Sequence, residues 1–233
     1  PTAVGYAAGE RVTLKLAAAP LSSEGSTEFG LGADSVVLLT GGARGITAQV
    51  TIGLARATGC HLELIGRTAA PVGDEDPVTA AATDRVALRR VLAQARDRTP
   101  AEIEAACSRI LAQREIRSTL AGLVEVAASV RYSEVDVRDR EAVSALVDGV
   151  YLRHGRLDGI VHGAGVLADR LLADKTPEGF AGVWVTKVDG ARALAGAANL
   201  KVVASVAVCG SESSAARLTA SALHSSASGR SEW

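Results

Sequence analysis

A glycine-rich turn between an apolar run and an amphipathic run has the residue types to bind a phosphate group. Val36–Thr40 predicts a buried strand, and a helix is predicted to begin within the next residues, which are Gly41, Gly42, Ala43, Arg44, Gly45 and Ile46. Glycines let the backbone approach a pyrophosphate, and free N–H groups at a helix N-terminus attract its charge. We predict a nucleotide-binding turn, although Thr47 stands where a third glycine is expected. The alternative is an ordinary glycine-rich turn.

Arginine side chains near this turn indicate which dinucleotide it would bind. The second predicted strand, His61–Ile65, is followed by Gly66 and Arg67, where an NAD-binding unit normally carries an acidic residue for the ribose 2′-hydroxyl. A guanidinium suits a 2′-phosphate instead, and Arg44 offers a second cation to the same group. These residues favour NADP(H) over NAD, unless Arg67 is only a solvated arginine at a strand end.

Two further strand ends carry candidate cofactor contacts. Asp136 and Val137 follow the third predicted strand, where a carboxylate can accept a hydrogen bond from an adenine amino group or act only as a helix cap. The fourth strand ends in a histidine and three small residues: His162, Gly163, Ala164 and Gly165. The small residues would let a ribose or nicotinamide lie close to the backbone, or they form a simple turn. We expect His162 itself to be a packed, hydrogen-bonded residue, because no second histidine lies at metal-ligand spacing.

Lys187 and Ser211 are candidates for a polar site. Lys187 lies at helical spacing from Trp184 and Ala191, which predicts that it belongs to the apolar face of a helix beginning at Thr176-Pro177. A buried amine either extends to water along its stem or points into a site at the carboxyl edge of the sheet. Ser211, just beyond the fifth predicted strand, would lie in the same region.

Short apolar runs alternate with longer amphipathic ones from Ser35 onward, which predicts an α/β fold with a Rossmann doubly wound parallel sheet. Two of the predicted helices have clear ends. The first ends at Gly59, and its apolar face is Ile46, Val50 and Leu54. The second is capped by Asp139 and ends at Gly155, and its apolar face is Val143, Leu146, Val147 and Val150. The third to fifth strands are predicted at Val130–Val135, around Ile160–His162 and at Lys201–Val208. No strand pattern follows, so the sheet is predicted to be incomplete at its C-terminal side, with an unpaired and aggregation-prone edge.

These elements divide the chain into three predicted regions. Residues 1–34 form an upstream strand, Arg11–Leu16, and a linker, and residues 35–210 form the NADP-binding Rossmann domain. Within that domain, residues 68–129 are an enlarged crossover with two helices separated at Thr99-Pro100. Residues 211–233 are an atypical tail rich in Ser and Ala.

Composition excludes several classes of protein. The 233 residues carry a net charge of -1 and are 48% hydrophobic, which argues against disorder and against a basic surface for nucleic acid. No apolar run approaches the roughly 20 residues that span a membrane. Three cysteines far apart favour a reducing, cytoplasmic location over a disulfide framework. The chain begins at Pro1 and contains no Met, which we interpret as a segment of a multidomain protein.

The motifs between Val36 and Ser211 together resemble a known family. The sequence segments that carry the resemblance are Thr-Gly-Gly-Ala-Arg-Gly-Ile-Thr, Gly-Arg-Thr, Asp-Val, His-Gly-Ala-Gly-Val and Thr-Lys-Val-Asp-Gly-Ala. In this order they are similar to a ketoreductase domain of a modular polyketide or polyunsaturated-fatty-acid synthase, within the short-chain dehydrogenase/reductase superfamily. The resemblance implies a Rossmann domain that binds NADPH and reduces a β-ketoacyl thioester carried on an acyl carrier protein, next to other synthase domains.

The resemblance also implies a catalytic set that this chain only partly contains. Lys187 matches the family lysine and Ser211 the family serine, but the tyrosine and asparagine positions fall on His224 and Ser228. Without the phenol, the site lacks its main proton donor. We therefore expect the catalytic Tyr to be missing, and a tail out of register with the ancestral gene is our hypothesis for the cause. A non-catalytic Rossmann nucleotide-binding or structural module of a synthase remains the alternative, and a stand-alone reductase is a weaker one.

Overall fold

A computed structural model describes residues 4–13, 30–94, 98–198 and 203–205. The predicted tail, with Ser211, His224 and Ser228, lies outside the described residues. The chain divides into two compact units, Pro1–Gly30 and Leu31–Trp233.

The described part of the first unit is a β-hairpin. Strand β1, Val4–Ala7, pairs antiparallel with strand β2, Glu10–Thr13. The two residues between them, Ala8 and Gly9, have φ values of 52° and 81°, as the tightest hairpin turns require. Of the single strand predicted at Arg11–Leu16, residues 11–13 belong to β2, and residues 14–16 lie outside the described residues. Strand β1, on the other side of this turn, was not predicted.

In the described part of the second unit, five parallel strands form one sheet. They are β3 (Val36–Thr40), β4 (His61–Gly66), β5 (Ser129–Glu134), β6 (Gly159–His162) and β7 (Val203–Ser205). Their order across the sheet is β5-β4-β3-β6-β7, with every neighbouring pair parallel. The strand order reverses between β3 and β6, which is the topological switch point of a doubly wound sheet. The predicted Rossmann fold is confirmed, while most of the predicted Lys201–Val208 strand lies outside the described residues.

Helices cover both faces of this sheet. They are α1 (Gly45–Thr58), α2 (Pro77–Ala80), α3 (Arg85–Leu92), α4 (Pro100–Val124), α5 (Arg140–His154), α6 (Pro177–Trp184) and α7 (Gly190–Ala197). The crossover predicted over 68–129 contains three of them instead of the two predicted. Helix α4 begins as the sequence indicates: Thr99 and Glu102 form a reciprocal capping box ahead of Pro100. Among the described residues, no helix combines the length and apolar character needed to cross a bilayer.

Two hydrophobic layers hold the sheet between these helices. One contains Val36 and Leu38 of β3 with the predicted face of α5, and the other contains Val37 and Leu39 with residues of α1 and α4. The predicted ends of α5 are confirmed: the Asp139 carboxylate accepts from the Ala142 N–H, and Gly155 takes the left-handed conformation at the C-cap. The β3 side chains alternate between the two layers, so this strand is buried on both faces.

The predicted buried faces of two helices were only partly right. On α1, Ile46 is exposed, while Leu54 packs against the core as predicted. The fully buried residues of this helix are Thr47, Ala48, Thr51 and Ala55. The Thr51 hydroxyl donates to the carbonyls of Gly42 and Thr47, so polar side chains whose hydrogen bonds are satisfied locally occupy this face. After α6, a π-helical turn at Val185–Asp189 shifts the helical phase. Phe180 and Trp184 consequently remain exposed, while Ala193 and Leu194 are buried.

Candidate functional site

A cleft of about 460 Å³ lies where the predicted cofactor residues converge. Ten of these residues line it: Gly41, Ala43, Arg44, Gly45, Arg67, Asp136, Val137, Gly163, Ala164 and Gly165. They come from the segments that follow β3, β4, β5 and β6. The cleft therefore sits outside the carboxyl ends of the strands at the switch point, the position where open α/β sheets bind ligands.

The glycine-rich turn forms one wall of the cleft through its backbone. Gly41 has φ +71°, and a Cβ atom added there would approach the Ala164 nitrogen to 3.3 Å. The Gly41 N–H donates to the Ile65 carbonyl at 2.7 Å, which ties the turn to the end of β4. A side chain at Gly41 would therefore fill the space in which a ligand could approach the backbone, so the wall fits the cradle expected for a dinucleotide.

Thr47 and Gly163 explain the missing third glycine. A Cβ atom at Gly163 would clash with the Thr47 side chain and approach the Thr40 carbonyl oxygen to 2.8 Å. The close approach of α1 to β6 therefore relies on a glycine on the β6 side. Gly42 serves packing as well, because a Cβ atom there would meet Leu39 at 2.8 Å and Leu64 at 3.0 Å. Gly42 and Ile46 do not line the cleft: Gly42 is buried beneath it and Ile46 faces outward.

Two charged side chains, those of Arg67 and Asp136, line the β4 and β5 side of the cleft. Arg67 is exposed at its rim. Asp136 accepts from the Arg138 guanidinium at 2.6 Å and from the Arg138 N–H at 3.0 Å. This hydrogen bonding to Arg138 holds the pKa of Asp136 below its usual value. The carboxylate is therefore ionised at pH 7 and can accept a further hydrogen bond, while the helix cap suggested as its alternative role belongs to Asp139.

His162 lies behind the cleft wall. Its Nδ1 is 2.8 Å from the Thr40 hydroxyl, and the oxygen of that hydroxyl accepts from the Ala164 N–H at 3.0 Å. Its Nε2 is 3.1 Å from the Lys187 carbonyl, which can only accept, so Nε2 carries the hydrogen. Burial, together with the charge of Lys187, lowers the pKa of His162 to about 4. The neutral imidazole thus links β3, the β6 loop and the π-helical turn.

Lys187 lies beside the β6 end of the cleft. A Cβ atom at Gly165 would come within 3.0 Å of the Lys187 Cε, so the lysine stem packs against this glycine. The side chain is half-buried, and burial lowers the pKa of its amine. Of the two predicted catalytic residues, the structure thus places Lys187 next to the cleft, while Ser211 lies outside the described residues.

Several residues that line the cleft were not predicted from the sequence. Tyr132 on β5 donates from its hydroxyl to the Thr68 carbonyl at 2.6 Å, which holds the loop that carries Arg67. Glu115 of α4 also lines the cleft, at the N-terminal end of α1. The alternation of β5 could have identified Tyr132. No local signal identifies Glu115, because its position depends on how the crossover helix packs.

Comparisons with known proteins identify a matching family model and several similar proteins. A family model described as KR domain matches residues 35–230, a span that continues past the border predicted at residue 210. A polyunsaturated fatty acid synthase of Thraustochytrium sp. is 32% identical over 177 residues, which cover 71% of this chain and 6% of that protein. Polyketide synthase ThaG of Burkholderia thailandensis is 29% identical over 197 residues, covering 82% of this chain and 3% of that protein.

Among solved structures, a ketoreductase domain from the bacillaene assembly line has a similar fold. Its TM-score is 0.53 at 24% identity, with 86% of this chain and 38% of that chain covered. The curated relatives are much longer, since this chain spans only a few per cent of their length.

Proposed function

Since the chain belongs to the KR domain family of the short-chain dehydrogenase/reductase superfamily, we propose that its cleft binds NADPH for the reduction of a β-ketoacyl thioester. The observation that carries the proposal is the combination of a backbone cradle at Gly41 with Arg44 and Arg67 in one cleft. Glycine backbone suits a pyrophosphate and guanidinium groups suit a 2′-phosphate.

Each wall of the cleft has a separate part in this proposal. The Gly41 turn would hold the pyrophosphate, Arg67 and Arg44 the 2′-phosphate, and Asp136 the adenine amino group. The β6 loop, Gly163–Gly165, would leave room for the ribose and the nicotinamide. When bound, NADPH would supply the hydride. Lys187, beside Gly165, would then lie at the end of the cleft where the ketone must enter.

The catalytic part of the proposal depends on which residue donates a proton to the developing alkoxide. The last tyrosine of the chain, Tyr151, lies on α5 and packs against the hydrophobic core away from the cleft. The position at which the family tyrosine is expected carries His224. A developing alkoxide would therefore depend on Lys187 and Ser211 for stabilisation. For this reason we expect NADPH binding to be easier to detect than turnover of a substrate.

The relatives suggest the substrate and its surroundings. Because the similar proteins are large synthases, we propose that the acyl chain is presented by an acyl carrier protein and that other synthase domains are partners. We also propose that such a synthase is soluble and located in the cytoplasm. The second candidate function is a non-catalytic nucleotide-binding module of a synthase, which His224 at the position expected for the family tyrosine favours.

Calorimetric titration with NADPH and NADH tests the proposal. Arg67→Gln should weaken NADPH binding about tenfold or more and leave NADH binding nearly unchanged, since only NADPH carries the 2′-phosphate. Arg109→Gln, which removes an exposed arginine of α4 outside the cleft, is the matched control. Equal losses for both cofactors would contradict the role of Arg67.

A turnover assay separates the two candidate functions. The chain is mixed with NADPH and a β-ketoacyl pantetheine thioester, and NADPH oxidation is followed by absorbance. Saturable binding with turnover supports the reductase, and binding without turnover supports the non-catalytic module. If NADPH does not bind saturably, both functions are rejected.

A further inference from the structure

The carboxylate of Glu115 occupies the anion position at the N-terminus of α1. One oxygen accepts from the Gly45 N–H at 2.5 Å, and the other accepts from the Arg44 Nε at 3.0 Å. Glu115 comes from α4, seventy positions further along the chain. A carboxylate from the enlarged crossover thus binds the same turn that the proposed function assigns to the phosphates of NADPH.

Helix α1 has no cap of its own. Its N-cap residue, Arg44, makes no side-chain capping hydrogen bond, and the first turn contains no acidic residue. By contrast, α4, α5 and α6 are capped by Thr99, Asp139 and Thr176. Free N–H groups at the start of α1 attract an anion, and Glu115 supplies a carboxylate at this position.

We propose that Glu115 is a residue that sets cofactor affinity by competing with the cofactor's phosphates for Arg44 and the Gly45 N–H. This inference rests on the proposed function, because it takes the cleft to be the dinucleotide site. Two anions cannot share these donors without repulsion, so the Glu115 carboxylate moves away when phosphate binds. The movement needs only a side-chain rotation, since the Glu115 and Arg44 side chains are 42% and 49% exposed.

Replacing Glu115 should change cofactor affinity in the opposite direction to replacing a residue that binds the cofactor. Removing the charge of Glu115 should tighten binding, because Arg44 is then free to meet the phosphate. Glu115→Gln keeps an oxygen that can accept from the Gly45 N–H, so the cap of α1 and the fold are preserved. A residue that merely supported the cleft would weaken binding when replaced.

The test measures the dissociation constants of NADPH and of adenosine 2′,5′-bisphosphate by calorimetry at low salt. We expect Glu115→Gln to tighten both by about three- to tenfold, and the gain to shrink as salt screens the charges. Glu104→Gln is the matched control. It removes an ion-paired carboxylate from the same helix, where Glu104 binds Arg85 and Arg89 outside the cleft, and it should leave both constants unchanged.

A second variant and a double substitution complete the test. Glu115→Ala should tighten binding as well, and thermal melts of both variants establish that they are folded. In an Arg44→Ala background, Glu115→Gln should give less than half of its gain. If the wild-type chain binds NADPH and neither Glu115 variant binds it more tightly, the inference is wrong and the proposed function stands. If no form of the chain binds NADPH, both are rejected.

Discussion

Acid should destabilise this fold through His162 at a pH where most carboxylates are still ionised. The pKa of His162 is lowered to about 4 in the folded chain, against about 6.5 in an unfolded one. The unfolded chain therefore binds the proton more readily. The stability that His162 contributes is complete above pH 6.5 and is lost as the pH falls through 4. Protonation would give the buried imidazole a second N–H facing the Thr40 hydroxyl.

The size of the effect follows from these two pKa values. Between pH 7.5 and pH 4.5 the free energy of unfolding should fall by about 2.5 kcal/mol on account of His162 alone. Carboxylates whose pKa is lowered, such as Asp136 and Glu75, have unfolded values near 4 and contribute mainly below this range. The window from pH 6.5 to 4.5 is thus dominated by histidines.

Urea unfolding at a series of pH values measures this loss. The variant His162→Asn keeps an oxygen that can accept from Thr40 and cannot be protonated in this range, so its stability should depend much less on pH. His61→Gln is the control, since His61 contacts Ser129 at the edge of the sheet and should leave the His162 contribution in place. If wild type and His162→Asn lose stability equally between pH 7.5 and 4.5, the assignment to His162 is refuted.

Substitutions at Gly41, Arg153 and Glu63 test the cradle and the buried ion pair. Gly41→Ala should cost about 1–2 kcal/mol of stability, because a Cβ atom is strained at this left-handed position. The same variant should also bind NADPH more weakly in a titration. If neither the stability nor the NADPH affinity changes, the cradle is contradicted. Arg153→Met should cost about 2 kcal/mol by urea unfolding, since it removes one partner of the buried Glu63 carboxylate while His154 remains. The double variant with Arg153→Met and Glu63→Gln should regain most of the stability that Arg153→Met loses. A further loss of stability in the double variant would argue against the ion pair.

Elements with strong local signals could be predicted from the sequence. The helix between Asp139 and Gly155 was predicted with both ends, because a carboxylate cap and a left-handed glycine are local devices. The turn after β3 was predicted as a nucleotide site from its glycines and its place between a strand and a helix. The parallel pairing of the strands follows from the alternation of strands and helices, since parallel strands need a crossover connection between them.

Where packing decides, prediction from periodicity was less accurate. Helix α1 buries Thr47 and Thr51 rather than Ile46, because the close approach of β6 at Gly163 and the carbonyl of Gly42 suit short side chains with a hydroxyl group. The π-helical turn after α6 shifted the buried face, so Phe180 and Trp184 remained exposed. A regular period cannot anticipate an extra residue within one turn.

The sequence alone determined the family resemblance, the parallel sheet and ten of the residues that line the cleft. These depend on glycines, caps and strand ends, which act over a few neighbouring residues. Only the tertiary structure placed His162 behind the cleft wall and Glu115 on the start of α1. Both contacts join residues about 70 to 120 positions apart, and such contacts follow from how helices and strands pack on one another.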